Sequence, residues 1–119
     1  MKKNKLYHLS SCSTCQRIIN ELGAEHFELQ NIKENHVDEQ TIDWLAEENG
    51  GYEAIFNKRA MKYRSQGLNN MDLTEAQWKA YILDEYTFIK RPIMIIDGKS
   101  YVGNSKKVVE AAKKALESS

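Results

Sequence analysis

The sequence predicts an α/β fold in which a four-stranded mixed sheet is flanked by helices. A strand–helix–strand pattern occupies the first part of the chain, a helical stretch the middle, and a strand–strand–helix pattern the end. The first pattern is typical of a parallel, right-handed βαβ unit. The last contains a hairpin, so the sheet is expected to combine parallel and antiparallel strands.

The βαβ unit is predicted from alternating and helical apolar patterns. Leu6, Tyr7 and Leu9 indicate a first strand. The helix predicted over 13–22 has apolar residues at helical spacing and is stopped by Gly23. Residues 26–32 alternate between apolar and polar side chains, which is typical of a strand with one buried face.

A helical insertion is predicted over about 38–87, between the βαβ and ββα halves of one domain that spans 1–119. Asp38 is suited to cap its first helix, which Gly50 ends. One or two short helices are expected between Tyr52 and Tyr63. The later segment from Thr74 to Gln77 has the pattern of a capping box that opens another helix.

The ββα half is indicated by a buried apolar strand, a tight turn and an amphipathic helix. The run Ile93 to Ile96 is uniformly apolar, and Asp97-Gly98 is a strong two-residue hairpin signal. The returning strand begins at Tyr101. The final helix is predicted over 105–116 from its apolar stripe.

The composition bounds the function. The chain has 119 residues, 17 Lys plus Arg and 17 Asp plus Glu, so its net charge is near zero. The chain therefore has no net positive charge that would attract nucleic acid or an anionic membrane, and no direct nucleic-acid partner is expected. No apolar run approaches a membrane span. The basic start lacks the apolar stretch of a signal peptide, so the expected compartment is the cytoplasm.

Both cysteines lie where the first strand turns into the first helix, as Cys12-x-x-Cys15. Backbone N–H groups and the helix dipole favour a thiolate at such a position. Ser11 and Ser13 are expected to cap or donate to the same turn. A Cys-x-x-Cys beside a βαβ unit predicts a thioredoxin-like fold. In that fold Pro92, the only proline, is cis and faces the cysteine turn.

Each of these candidates has an alternative. Cys12 is a nucleophile or a buried, inert cysteine, and Cys15 is a resolving thiol or an apolar packing residue. His8 favours the Cys12 thiolate or is an ordinary strand residue. A zinc site with His26 as a fourth ligand is a weaker hypothesis, because structural zinc sites usually have two close ligand pairs. We therefore expect no metal.

Three short segments carry a resemblance that covers roughly residues 5–116. They are His8-x-x-x-Cys12, Asn57-Lys58-Arg59 and the segment from Ile89 to Ile93 that contains Arg91-Pro92. Because these segments occur in this order, with matching strands and spacing, the chain resembles the glutaredoxin-coupled arsenate reductase (ArsC) family. It also resembles the relatives of that family, the Spx-type transcription regulators.

The resemblance implies that Cys12 is the nucleophile and that Arg59 and Arg91 bind an anion near it. Solvated surface charge is the alternative for both arginines. The family usually carries arginine where this chain has Gln16, and a third arginine is replaced within 102–104. The reductases usually lack a cysteine at position 15, whereas Spx-type proteins have Cys-x-x-Cys.

The expected function is a cytoplasmic thiol–disulfide oxidoreductase without a bound cofactor. Its reductant would be glutathione, a glutaredoxin or a thioredoxin, and its substrate a small oxyanion or a thiol compound. The resemblance also leaves a second hypothesis, a redox-sensing regulator that binds the RNA polymerase α subunit. In that case Cys12 and Cys15 would be the redox switch.

Overall fold

The computed structural model describes residues 4–118, and these divide into two compact units. The first unit comprises residues 4–36 and 91–118, and the second comprises residues 37–90. The second unit covers the predicted helical insertion with a margin of one to three residues at each end. That the chain forms a single domain over 1–119 stays a prediction.

The first unit contains the predicted four-stranded mixed sheet. Its strands are β1 (Asn4–His8), β2 (Phe27–Asn31), β3 (Ile93–Ile96) and β4 (Lys99–Val102), in the order β2-β1-β3-β4. β1 pairs in parallel with β2, whereas the β1–β3 and β3–β4 pairs are antiparallel. This arrangement confirms the thioredoxin-like fold class.

Two helices of the first unit, α1 (Ser13–Leu22) and α5 (Lys106–Ser118), pack on the sheet. Apolar side chains from both helices and from three strands form one buried cluster, which removes their surface from water and stabilises the unit. The cluster contains Leu6, Ile18, Ile19, Leu22, Phe27, Met94, Ile96, Val109 and Ala112. Helix α1 is thereby fixed on the sheet, and its N-terminus is held at the end of β1.

The predicted turns are confirmed. Asp97 and Gly98 have φ of 51° and 81°, as a two-residue hairpin of this kind requires. Gly23, with φ of 99°, ends α1 and donates its N–H to the Ile19 carbonyl. The Arg91–Pro92 peptide bond is cis, as predicted.

The second unit contains the helices α2 (Glu39–Asn49), α3 (Met61–Ser65) and α4 (Glu75–Asp84). Asp38 caps α2 by accepting the Thr41 N–H. Thr74 and Gln77 form the predicted capping box of α4. Their reciprocal bonds satisfy backbone donors that the helix itself cannot pair.

Aromatic rings hold the second unit together. The Phe56 ring lies 4.7 Å from Trp78 and 4.9 Å from Phe88, measured between centroids. An isolated antiparallel β-bridge pairs Phe56 with Ile89, near the end of the second unit. Beside it, the Asn57 N–H donates to the Phe88 carbonyl. These contacts add to the burial of the rings.

A few predicted boundaries were wrong by one or two residues. β1 ends at His8 instead of Leu9, and β2 starts at Phe27 because His26 closes a short 3₁₀ turn. α5 begins at Lys106 instead of Ser105. The Ser105 hydroxyl accepts the Val108 N–H, as the side chain of a residue just before a helix does. α5 continues to Ser118, two residues beyond the predicted end of the helix at 116. Among residues 4–118, no helix is long and apolar enough to cross a membrane.

Candidate active site

The cysteine turn connects β1 to α1. The Cys12 N–H donates to the Leu9 carbonyl at 2.9 Å, which closes a turn with Ser10 and Ser11 at its centre. Cys12 is itself the N-cap of α1, with extended backbone. The expectation that Ser11 or Ser13 caps this helix was wrong, because Ser11 lies before the N-cap and Ser13 is the first residue of the helix.

The pKa of the half-buried Cys12 thiol is lowered from its ordinary value. Burial alone would raise this pKa. The backbone N–H of Cys15, the Cys15 thiol, the Arg91 charge and the backbone N–H of Thr14 outweigh burial, in that order of size. The sulfur makes no capping hydrogen bond of strict geometry. It nevertheless lies in the field of the first N–H groups of the helix, as predicted for this position.

The Cys15 thiol has the opposite character. Its side chain is fully buried. Burial, followed by smaller contributions from the neighbouring Cys12, raises the pKa of Cys15 to about 11, although the Leu9 backbone and the Arg91 charge oppose the rise. Both cysteines are free thiols. The motif therefore presents one accessible thiol that ionises readily and one that is protected and protonated at neutral pH.

His8 lies at the end of β1, and its Nδ1 is 3.5 Å from the Gln16 side-chain nitrogen. Burial lowers the pKa of His8 below its usual 6.5, and the Glu34 carboxylate opposes this only in part. The shift favours the neutral form of the ring, so burial opposes a positive charge on His8 beside the cysteine turn. A role through hydrogen bonding stays a prediction.

Arg91 precedes the cis proline and acts on both cysteines. Its charge lowers the pKa of Cys12 and also opposes the rise at Cys15. Pro92 is buried, and its carbonyl accepts the Gly103 N–H at 2.9 Å, which fixes the start of β3 to the end of β4. The structure thus brings the Arg91 charge into electrostatic reach of both thiols. That it binds an anion there stays a prediction.

Arg59 belongs to the second unit, where it is exposed. Its backbone N–H donates to the Asn57 side chain in the short turn before α3. Its anion-binding role stays a prediction.

The described residues contain no group of three or more His, Cys, Asp or Glu side chains that could hold a metal ion. The zinc hypothesis with His8, Cys12, Cys15 and His26 therefore gains no support from this part of the chain.

The sequence interpretation missed Asn31, the last residue of β2. Its side chain contacts the cysteine turn at Ser10, through the Ser10 hydroxyl at 3.0 Å and the Ser10 N–H at 3.4 Å. Its position in the predicted βαβ unit could have indicated this contact, because His8 and Asn31 are paired at the carboxyl ends of two parallel strands. Side chains that follow the ends of neighbouring parallel strands meet at one edge of the sheet.

The fold and the Cys-x-x-Cys motif define a thioredoxin-like protein. A model of the ArsC family matches residues 7–112. The chain therefore belongs to the ArsC family, as its resemblance implied. An uncharacterized protein from Haemophilus influenzae is 30% identical over 112 residues, which are 90% of this chain and 96% of that protein.

Solved structures share the fold. A possible arsenate reductase from Streptococcus mutans has a TM-score of 0.74 and 24% identity, and the match covers 94% of this chain and 98% of that one. The arsenate reductase from Vibrio cholerae has a TM-score of 0.71 and 20% identity, with 97% and 96% covered. These similarities establish an arsenate-reductase-like fold.

Proposed function

We propose that this protein is a cytoplasmic thiol–disulfide oxidoreductase in which Cys12 is the nucleophile and Cys15 the resolving thiol. One observation carries the proposal: the accessible Cys12 has a lowered pKa, whereas the buried Cys15 has a pKa raised to about 11. A thiolate is the attacking form of cysteine, so the first step falls to Cys12.

In the first step the Cys12 thiolate attacks one sulfur of a disulfide substrate. The substrate S–S bond breaks, a mixed disulfide forms on Cys12, and the leaving thiolate takes a proton from solvent. The mixed disulfide no longer carries the Cys12 thiol or its negative charge, which are two of the causes that raise the pKa of Cys15. Burial still opposes ionisation of Cys15, but less than in the dithiol state.

In the second step Cys15 loses its proton and attacks the Cys12 sulfur. A Cys12–Cys15 disulfide forms and the second substrate thiolate leaves, so the substrate is reduced by two electrons and the protein is oxidised by two. Glutathione, a glutaredoxin or a thioredoxin then reduces the protein disulfide by the reverse exchange. No bound cofactor takes part in this cycle.

Arsenate reduction is the second substrate option for the same thiol. Cys12 would add to arsenate with loss of water. A thiol would then attack the Cys12 sulfur, and the S–As bonding electrons would pass to arsenic to give arsenite. The family usually places an arginine at position 16, but here Gln16 contacts His8 instead. A neutral amide stabilises an oxyanion less than a guanidinium does, which favours disulfide substrates over arsenate.

Turnover assays test the proposal. Wild type, Cys12→Ser and Cys15→Ser are assayed with glutathione and glutaredoxin, once with a small-molecule disulfide and once with arsenate. We expect disulfide turnover that Cys12→Ser abolishes and Cys15→Ser weakens, together with slower arsenate turnover. Disulfide turnover that survives in Cys12→Ser would contradict the proposal.

The second unit contains four basic residues close in sequence, which favour the regulator hypothesis: Lys58, Arg59, Lys62 and Arg64. The two lysines are paired with Glu53 and Glu85. Arg59 and Arg64 are exposed, so the stretch remains a candidate contact for an acidic partner such as the RNA polymerase α subunit. A pull-down with that subunit under reducing and oxidising conditions separates the hypotheses. Binding that is equal in both conditions would contradict a Cys12–Cys15 switch.

A further inference from the structure

We propose that Asn31 is a positioning residue for Cys12, which it holds in its reactive place through Ser10. This inference rests on the proposed function, because it concerns the nucleophile of that reaction. Asn31 does not touch the sulfur itself. It fixes the turn that delivers the sulfur to the start of α1.

Within residues 4–118, the Asn31 side chain makes four hydrogen bonds at the carboxyl end of β2. Its Nδ2 donates to the Ser10 hydroxyl at 3.0 Å and to the Glu34 carboxylate at 3.1 Å. Its Oδ1 accepts the Ser10 N–H at 3.4 Å and the Lys33 N–H at 3.3 Å. The amide thereby ties the cysteine turn to the loop that follows β2.

Ser10 transmits this fixation to Cys12. Ser10 and Ser11 are the central residues of the turn closed by the bond from the Cys12 N–H to the Leu9 carbonyl. Ser10 is exposed, and among residues 4–118 Asn31 is the one side chain that bonds it, through both the Ser10 hydroxyl and the Ser10 N–H. Without Asn31 the turn would keep the Leu9–Cys12 bond but lose its lateral support.

The position of the turn matters because the thiolate is stabilised by short-range groups. The backbone N–H groups of Cys15 and Thr14 favour the charged form only where the sulfur lies at the N-terminus of α1. The effect of a helix terminus falls off within its first turn. A small displacement of Cys12 is therefore expected to raise its pKa without unfolding the protein.

The test is the pH profile of Cys12 alkylation by iodoacetamide in the full chain. We expect Asn31→Ala to lower the rate at pH 6 by about threefold to tenfold, since a shift of one pKa unit changes the thiolate fraction about tenfold. Ser10→Ala removes one of the two bonds to the turn and is expected to have a smaller effect in the same direction. Ser10→Thr keeps the hydroxyl and is expected to restore the wild-type profile.

Gln30→Ala is the matched control. Gln30 precedes Asn31 on β2, and its side chain bonds the Asn35 and His36 carbonyls but not the cysteine turn. We expect its alkylation profile to equal that of wild type. An equal loss in Gln30→Ala and Asn31→Ala would show a general loosening of the strand and would overturn the inference.

The outcomes separate this inference from the proposed function. A lowered Cys12 pKa in wild type that Asn31→Ala and Ser10→Ala leave unchanged would overturn the positioning role alone. An ordinary thiol pKa in wild type would contradict the proposed function first. If Asn31→Ala fails to fold, the Ser10→Ala and Ser10→Thr pair at the exposed Ser10 decides the question.

Discussion

Cys12 and Cys15 lie three positions apart at the start of α1, yet their thiols have pKa values shifted in opposite directions. The Cys12 pKa is lowered, and the Cys15 pKa is raised to about 11. Burial raises the pKa at both positions and dominates at the fully buried Cys15. At the partly accessible Cys12, the backbone N–H groups of the helix, the Cys15 thiol and the Arg91 charge outweigh it. One short motif thereby contains two thiols of unequal reactivity.

Cys12 is expected to react with iodoacetamide much faster than Cys15 below pH 7. The Cys12 pKa is lowered and the Cys15 pKa is raised to about 11, so Cys12 has the larger thiolate fraction at pH 6. Alkylation of wild type at pH 6, followed by peptide mass spectrometry, measures both rates. Equal rates that follow an ordinary thiol pKa would contradict this prediction.

Arg91→Ala is expected to raise the Cys12 pKa and to reduce its alkylation at pH 6 by about twofold to tenfold, because the Arg91 charge favours the thiolate. Sulfate or arsenate is expected to protect Cys12 in wild type and less so in Arg91→Ala. Arg91→Lys restores the charge but not bidentate geometry, so protection should recover only in part.

Arg17→Ala is the control for Arg91. Arg17 is exposed on α1, and its Nη1 lies 3.7 Å from Oε1 of Glu21. The Arg17 charge is not among the groups that shift the Cys12 pKa. The same assay on Arg59→Ala tests the second arginine that the resemblance implied. If anions leave Cys12 alkylation unchanged in wild type, the oxyanion interpretation fails and only the dithiol chemistry remains.

His8 is expected to titrate below 6.5, and Glu34→Gln to lower its pKa further, because Glu34 stabilises the charged ring. NMR titration of the His8 ring protons measures both values. The unfolded chain binds this proton more tightly than the folded one, so this group costs stability as the pH falls below about 6.5. Glu25→Gln is the control, because Glu25 is exposed and is not among the groups that shift the His8 pKa. A His8 pKa above 6.5 in wild type would contradict the burial of the ring.

Thr74→Ala is expected to destabilise the protein by about 1 kcal/mol, since it removes the hydroxyl that caps α4. Thr74→Ser keeps a capping hydroxyl and should cost much less. Chemical denaturation of both variants measures the free energy of unfolding. Equal stabilities for the Ala and Ser variants would show that the capping box does not contribute.

Much of the fold was predictable because its signals are local. The apolar pattern, the stop at Gly23, the turn at Asp97 and Gly98 and the capping box at Thr74 each depend on residues close in sequence. The place of the two cysteines at a strand-to-helix turn was predictable for the same reason. The cis state of Pro92 followed from the predicted fold class.

The site was predictable only in part, because its side chains meet across the fold. The contact of Asn31 with Ser10 joins residues 21 positions apart and depends on the register of β1 and β2. The lowered pKa of His8 depends on its burial, which a single sequence does not reveal. Cys12 as the N-cap depends on where the helix begins, and helix boundaries are uncertain by one or two residues from local pattern alone.

Redox titration in glutathione buffers measures whether Cys12 and Cys15 act as a nucleophile and a resolving thiol, with the protein thiols trapped by acid and identified by mass spectrometry. We expect wild type to pass from the dithiol to an intramolecular Cys12–Cys15 disulfide in one two-electron step. We expect Cys15→Ser to accumulate a glutathione mixed disulfide on Cys12, and Cys12→Ser to form neither product. A wild type that accumulates the mixed disulfide to the same extent as Cys15→Ser, with no intramolecular disulfide, would contradict these roles.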